Sequence, residues 1–129
     1  MPLSKYEVGA AVAVSDMERA REFYEGRLGL TAPGGEQPDG GRRYACAAGT
    51  TIHVYPSPDG AGRSPATVAG WVVDDLQRVV DELTARGVVF ERYDGPTLST
   101  DERGIAVLGD SREAWFKDPD GNILAVGER

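Results

Sequence analysis

The sequence predicts an α+β fold: two tandem βαβββ modules forming a cupped mixed sheet around a cavity. Three observations predict it. The chain repeats itself: laying Val14 over Val73 also brings Asp16 over Asp75, Met17 over Leu76, Arg19 over Arg78, Glu22 over Asp81 and Arg27 over Arg86, and Gly29 meets Gly87 after a one-residue gap. The ends of the two halves match as well, with residues 49–54 (GTTIHV) lying over residues 121–126 (GNILAV). Each half then orders its elements as strand, helix, strand, strand, strand. One such unit leaves a sheet face uncovered, and two can pair to enclose space between their concave faces.

The elements follow from local pattern. Residues 8–14 (VGAAVAV) are uniformly small or apolar, the mark of a buried strand. Ser15 with Glu18 three residues on is a capping-box pattern that opens a helix. Met17, Ala20, Tyr24 and Leu28 recur at helical spacing, Phe23 widens the stripe, and Gly29 offers a C-terminal cap. Gly26 weakens the interior of that helix. Residues 31–41, rich in Pro and Gly, read as a loop around a short strand, and residues 44–47 and 51–55 as two strands. Residues 56–65 (PSPDGAGRSP) break both helix and strand. The expected organisation is a single domain of residues 1–129, with a first module 1–56, a linker 57–65 and a second module 66–129.

The order then recurs. Residues 67–73 read as a strand, Asp74 or Asp75 as an N-cap, and residues 76–86 as a helix with Leu76, Val79, Val80 and Leu83 on one face. Gly87 caps it. Residues 88–93 read as a strand, 94–104 as a polar loop and 105–108 as a strand. A hairpin closes the chain: the apolar runs 114–116 and 123–126 flank Asp118-Pro119-Asp120-Gly121-Asn122. Pro119 presets φ, and Gly121 or Asn122 can take the left-handed conformation that a tight reversal needs.

Composition narrows the function. The chain has 129 residues, 40% hydrophobic and 27% charged, enough for one real core and unlike a disordered segment. A lone cysteine, Cys46, excludes an internal disulfide framework and a cysteine-based zinc site, and reads as a small buried residue. The net charge of −7 argues against nucleic acid, which needs clustered Lys and Arg. It favours a cationic ligand through steering, or serves solubility alone. No apolar run spans a membrane and the first residues lack a signal-peptide stretch, so a cytoplasmic protein is expected.

Side-chain alternation assigns what faces the cavity. Val8, Ala10, Val12 and Val14 suit packing under helices, which gives the cavity face to Gly9, Ala11 and Ala13. Val68, Gly70 and Val72 are their counterparts in the second half, with Trp71 on the helix side. His53 and Ala125 are equivalent, and Thr51 and Tyr55 share the face of His53. Small side chains at 9, 11, 13, 70 and 125 leave the room a ligand pocket requires, although a sheet packed tightly on a partner would show the same pattern. Trp115 faces away from Phe116 and can stack on an aromatic or cationic ligand, or serve core or dimer packing. The 94–104 loop is either a flap that brings Thr100, Asp101 and Arg103 to a ligand or an ordinary surface loop.

The chain resembles the vicinal oxygen chelate superfamily, which includes glyoxalases, bleomycin-resistance proteins and extradiol dioxygenases. The residues that carry the resemblance are 14–20 (VSDMERA) with Phe23-Tyr24 and Leu28-Gly29-Leu30, then 73–76 (VDDL) with 85–88 (ARGV), then 116–122 (FKDPDGN). It implies paired βαβββ modules and often a homodimer. Enzymes of the superfamily hold a divalent metal with His, Gln or Glu on inward positions of four strands. Carried onto this chain, those positions are Gly9, His53, Val68 and Ala125, and only His53 can coordinate. One imidazole does not hold a divalent metal; Glu36, Asp101 or Glu113 would have to gather around it.

The resemblance therefore points to the metal-free branch, which binds and sequesters small molecules. The expected function is a small-molecule binding protein without a cofactor, sequestration of a drug or toxin being one form of that role. The expected ligand-binding residues are His53, Thr51, Tyr55, Ala11, Ala13, Val68, Gly70, Val72, Trp115 and Ala125. The alternative is a lyase or isomerase-like enzyme that uses His53 as a base or an atypical divalent-metal site. A structural dimer without a ligand is a third reading.

Overall fold

Each half of the repeat is built on one parallel strand pair joined by a helical crossover, the connection that parallel strands require. The fold is that of a computed structural model, which describes residues 2–128. In the first half β1 (Ala10–Val14) pairs in parallel with β3 (Thr51–Pro56), and β2 (Arg42–Ala45) runs antiparallel along the other side of β3. In the second half β4 (Thr67–Val72) pairs in parallel with β7 (Ile123–Glu128). There β6 (Ser111–Lys117) is antiparallel to β7, and β5 (Ile105–Leu108) to β6. The result is two mixed sheets of three and four strands, ordered β1-β3-β2 and β4-β7-β6-β5, which meet where β1 and β4 lie side by side.

The crossovers show how the local sequence sets each helix. Asp75 caps α2 (Leu76–Ala85) by accepting from Arg78 N–H at 3.2 Å, and Gly87, at φ 94°, ends it as expected. The opening helix departs from the prediction. Its cap is Asp16, not the Ser15–Glu18 box: Asp16 accepts from Arg19 N–H at 3.1 Å, while the Ser15 N–H and hydroxyl both donate to Asp120. The α-helical part, α1, covers only Met17–Arg21 and continues as a π-helical segment, Glu22–Arg27, with the Leu28 N–H donating to Phe23 C=O at 3.0 Å.

Two expected strands are reduced to single bridges. Residues 31–41 pair with β2 only through isolated bridges at Thr31–Ala45 and Glu36–Arg42, because Pro33 and Pro38 lack donors and the intervening glycines favour turns. Residues 88–93 form a single β-bridge to β6, at Phe90–Phe116, with the Glu91 N–H donating to Trp115 C=O at 2.7 Å. The outer edge of β6 is already taken along Ser111 to Ala114 by β5. Two further shifts occur. Val8 lies outside β1 and is 84% exposed. The strand expected at 44–47 begins two residues earlier and gives way to a 3₁₀ turn at Ala47–Gly49.

One core runs through both halves. Val12, Val14, Phe23, Tyr24, Tyr44 and Val54 from the first are continuous with Leu76, Val80, Phe90, Phe116, Leu124 and Val126 from the second. The closing turn also joins the halves. Asn122 Nδ2 donates to Ala13 C=O at 2.8 Å, Gly62 N–H donates to Asn122 Oδ1 at 3.1 Å, and Arg19 pairs with Asp120 at 3.1 Å. The Tyr24 hydroxyl donates to the buried Asp118 carboxylate at 2.8 Å. Among the described residues no helix is long and apolar enough to cross a membrane.

Candidate functional site

The face of each sheet that points away from the core carries the candidate site. Ile52 and Val54 fill the core, so Thr51, His53 and Tyr55 stand half-buried on the open face of β3. The parallel register sets Ala11 beside His53 and Ala13 beside Tyr55, and β2 sets Arg43 on the other side of His53. The His53 and Tyr55 rings stack with centroids 5.7 Å apart. His53 Nε2 lies 2.8 Å from Asp39 Oδ2, and its Nδ1 is buried without a hydrogen-bond partner. The bond from His53, and then one from the Gly41 N–H, hold the Asp39 carboxyl below its ordinary value. Asp39 lies in the turn that returns residues 31–41 to β2, and no sequence motif marks this long reach.

The second sheet presents a different surface. The register sets Gly70, Ala125 and Trp115 in a row across β4, β7 and β6. Gly70 is exposed, but Ala125 and Trp115 are 4% and 9% exposed, because Tyr93 and Leu98 cover them in a small cluster with Ala106 and Ile123. Tyr93 meets Trp115 edge to face at 5.7 Å. The segment expected as a flap or surface loop is a small hairpin bridged at Asp94–Ser99, and Arg103 turns away from this face to pair with Asp81 of α2 at 3.0 Å. Thr100 and Asp101 are engaged in the hairpin's own turns. Val72 is exposed on the open side, as alternation requires. Val68 is a correction: a bulge between Thr67 and Ala69 breaks the alternation, and Val68 packs against the main core instead of sharing a face with Gly70 and Val72.

Between the sheets runs an open cleft of about 370 Å³, walled by Gly9, Ala10, Cys46, Thr51, Gly70 and Trp71 among others. It is mostly apolar and floored by small residues, so backbone comes close to any occupant. The wall is tight at Gly9, where a Cβ would stand 3.0 Å from Thr51 Oγ1. Cys46 is a free, half-buried thiol at this cleft and not a fully buried residue. Among the described residues Trp71 is its one aromatic wall. Alternation places Trp71 on the helix side, and it does line a second cavity there with Leu28, Val79 and Leu83. A side chain this large at the sheet junction reaches both.

Residues 8–126 match the glyoxalase/bleomycin resistance protein/dioxygenase superfamily. The chain belongs to that superfamily. Its fold is similar to that of TnmS3, an antibiotic binding protein from Streptomyces sp. CB03234, with 27% identity over 99% of this chain and 98% of the other, and a TM-score of 0.73. A glyoxalase/bleomycin resistance protein from the same organism matches with 27% identity over 94% and 98% of the two chains, and a TM-score of 0.68. A superfamily member from Sphaerobacter thermophilus DSM 20745 matches with 26% identity over 96% and 97%, and a TM-score of 0.66. No protein of curated function matches the chain.

The superfamily's divalent metal does not fit the residues present. Gly9, Val68 and Ala125 have no donor, and His53 gives its Nε2 to Asp39. Among the described residues no group of three or more His, Cys, Asp or Glu is placed to hold a metal ion. Asp101 is bound into its own turn, where it accepts from the Arg103 and Ile105 N–H groups.

Proposed function

We propose that the chain is a cytoplasmic, homodimeric small-molecule binding protein that sequesters an organic ligand, of the antibiotic class, without transforming it. The observation that carries this reading is the state of His53. It is the one family ligand position with a donor, and it is committed to Asp39 on one nitrogen while the other is buried. The face around it offers Ala11, Ala13, Thr51 and Tyr55, and the adjoining cleft offers Gly70 and Trp71: shape and aromatic surface, with the Nε2 of the one imidazole already taken by Asp39. The likeness to TnmS3, an antibiotic binding protein, supports the same class of ligand.

The test is equilibrium dialysis of the purified protein against a panel of aromatic and cationic antibiotics, with recovery of the bound compound for mass analysis. The expected result is micromolar or tighter binding of at least one compound, recovered unchanged, with no stoichiometric metal in the protein and no effect of a chelator on affinity. No binding across the panel, or a chemically altered product, would overturn it. The Asp39–His53 pair favours a second reading, an enzyme of lyase or isomerase type with His53 as base oriented by a carboxylate. That role requires Asp39 to leave or the ring to turn, and His53→Gln separates the two: it abolishes turnover in an enzyme, whereas a binding protein still retains its ligand unaltered, at reduced affinity.

A further inference from the structure

On the open face of the four-stranded sheet one carboxylate stands without a partner. Among the described residues the Glu113 side chain makes no ion pair or hydrogen bond, although the residue is half-buried. Its neighbours are engaged: the Glu128 carboxylate accepts from Leu76 N–H and pairs with Arg112, and Lys117 pairs with Glu91. Glu113 and Trp115 are two residues apart on β6 and so share a face, opposite Gly127 and Ala125 respectively. The carboxylate lies against Gly127, where a Cβ would stand 3.4 Å from Glu113 Oε1. Glu113 thereby edges a cavity of about 160 Å³ shared with Gly70, Val72, Ala125 and Gly127.

Ala125 borders this cavity and also lies beneath the Tyr93–Leu98 cover over Trp115. The cover is held largely by itself. The Thr100 N–H donates to Tyr93 C=O, the Gly95 N–H to Leu98 C=O and the Tyr93 N–H to the Thr100 hydroxyl. Tyr93 and Leu98 pack on the sheet in a cluster separate from the main core. A segment closed on local hydrogen bonds, with two side chains as its apolar anchor, opens at far lower cost than the core.

We propose that this face is a ligand subsite for an amine-bearing aromatic molecule. The ammonium group sits beside Glu113, and the ring takes the place over Trp115 that Tyr93 and Leu98 hold in the free protein. The proposal rests on the small-molecule reading above and assigns that ligand's class and contacts. Two residues along a strand span about 6–7 Å, the reach of an arylethylamine from nitrogen to ring. An unpaired, half-buried carboxylate gains more from a cation than an exposed one does, and the incoming ring packs on the indole in place of Tyr93. The net charge of −7 draws cations toward the surface. Because the hairpin competes for Trp115, the apparent affinity is reduced by the fraction of molecules in which it is closed.

The experiment is calorimetric titration of the protein with tryptamine, neutral 3-ethylindole and anionic indole-3-propionate, with hydrogen exchange read along residues 93–100. Tryptamine is expected to bind tighter than both analogues. Glu113→Gln should weaken tryptamine about tenfold, the value of one charged hydrogen bond, and leave 3-ethylindole unchanged. Leu98→Ala should tighten tryptamine, and bound tryptamine should speed exchange in the hairpin. If Leu98→Ala fails to fold, Pro96→Gly loosens the exposed tip without touching the cluster and should act in the same direction. Equal binding of the three indoles, indifference to Glu113→Gln, or slower exchange in the hairpin would each overturn the subsite. None of these touches the small-molecule reading, which stands or falls on the antibiotic panel.

Discussion

Asp39 reaches His53 from a turn that precedes β2, and this bond gives the chain's one imidazole its orientation. The His53 bond is the largest influence on the Asp39 carboxyl and lowers it, with the Gly41 N–H next. The sign follows directly. A carboxyl whose folded value lies below its unfolded value of about 3.9 stabilises the fold above that pH. The contribution disappears as pH falls through the folded value. Asp39 is exposed, so solvent screening keeps the contribution small. In a carboxyl-resolved NMR titration Asp39 should titrate below the ordinary carboxylate range, and His53→Gln should move it part of the way back, the Gly41 bond remaining. In Asp39→Asn the loss of stability should be visible at neutral pH and shrink in acid. An Asp39 midpoint at the ordinary carboxylate value in the unaltered protein would remove the bond from the solution structure.

At the scale of elements, the turn that carries Asp39 depends on a glycine for space and not for conformation. Gly41 is buried, and a Cβ on it would overlap the Val54 C=O oxygen and stand 2.8 Å from Tyr55 Cα, both backbone atoms of β3. Strand backbone cannot step aside as a flexible side chain can, so Gly41→Ala should cost about 1–3 kcal/mol and shift the amide signals of residues 53–55. A urea unfolding midpoint unchanged from the parent would show that the turn is not pressed onto β3. Comparable long-range facts mark where the sequence is silent. The helix at 76–85 and the closing hairpin are legible because amphipathic period and turn chemistry are local. The Val68 bulge, the return of Asp39 and the burial of Trp115 under Tyr93 and Leu98 depend on which segments meet, which no local period encodes. The open face around His53 is legible, since alternation along β3 and β1 needs only the strands themselves. Its counterpart in the second sheet is legible in orientation but not in cover.

For the molecule as a whole, the turn Asp118 to Asn122 does more than reverse the chain, since it fastens one half to the other. Asp118 is 5% exposed and accepts the Tyr24 hydroxyl as well as the Asp120 and Asn122 N–H groups and Asn122 Nδ2. Burial, and then the adjacent carboxylate, push the Tyr24 phenol far above its ordinary value, so it remains a donor. Tyr24→Phe keeps the ring packing against Phe23 and Tyr44 but removes one donor from a buried anion. The expected cost is about 1.5–3 kcal/mol, that of a hydrogen bond to a charged group. Because the core is continuous across the halves, urea unfolding should remain a single transition at a lower midpoint, with the same slope. A loss below about 0.5 kcal/mol, the scatter of ordinary surface substitutions, would mean that the turn's backbone bonds alone hold the halves together. Two separated transitions would mean that the halves unfold independently and that Tyr24 is the tie between them.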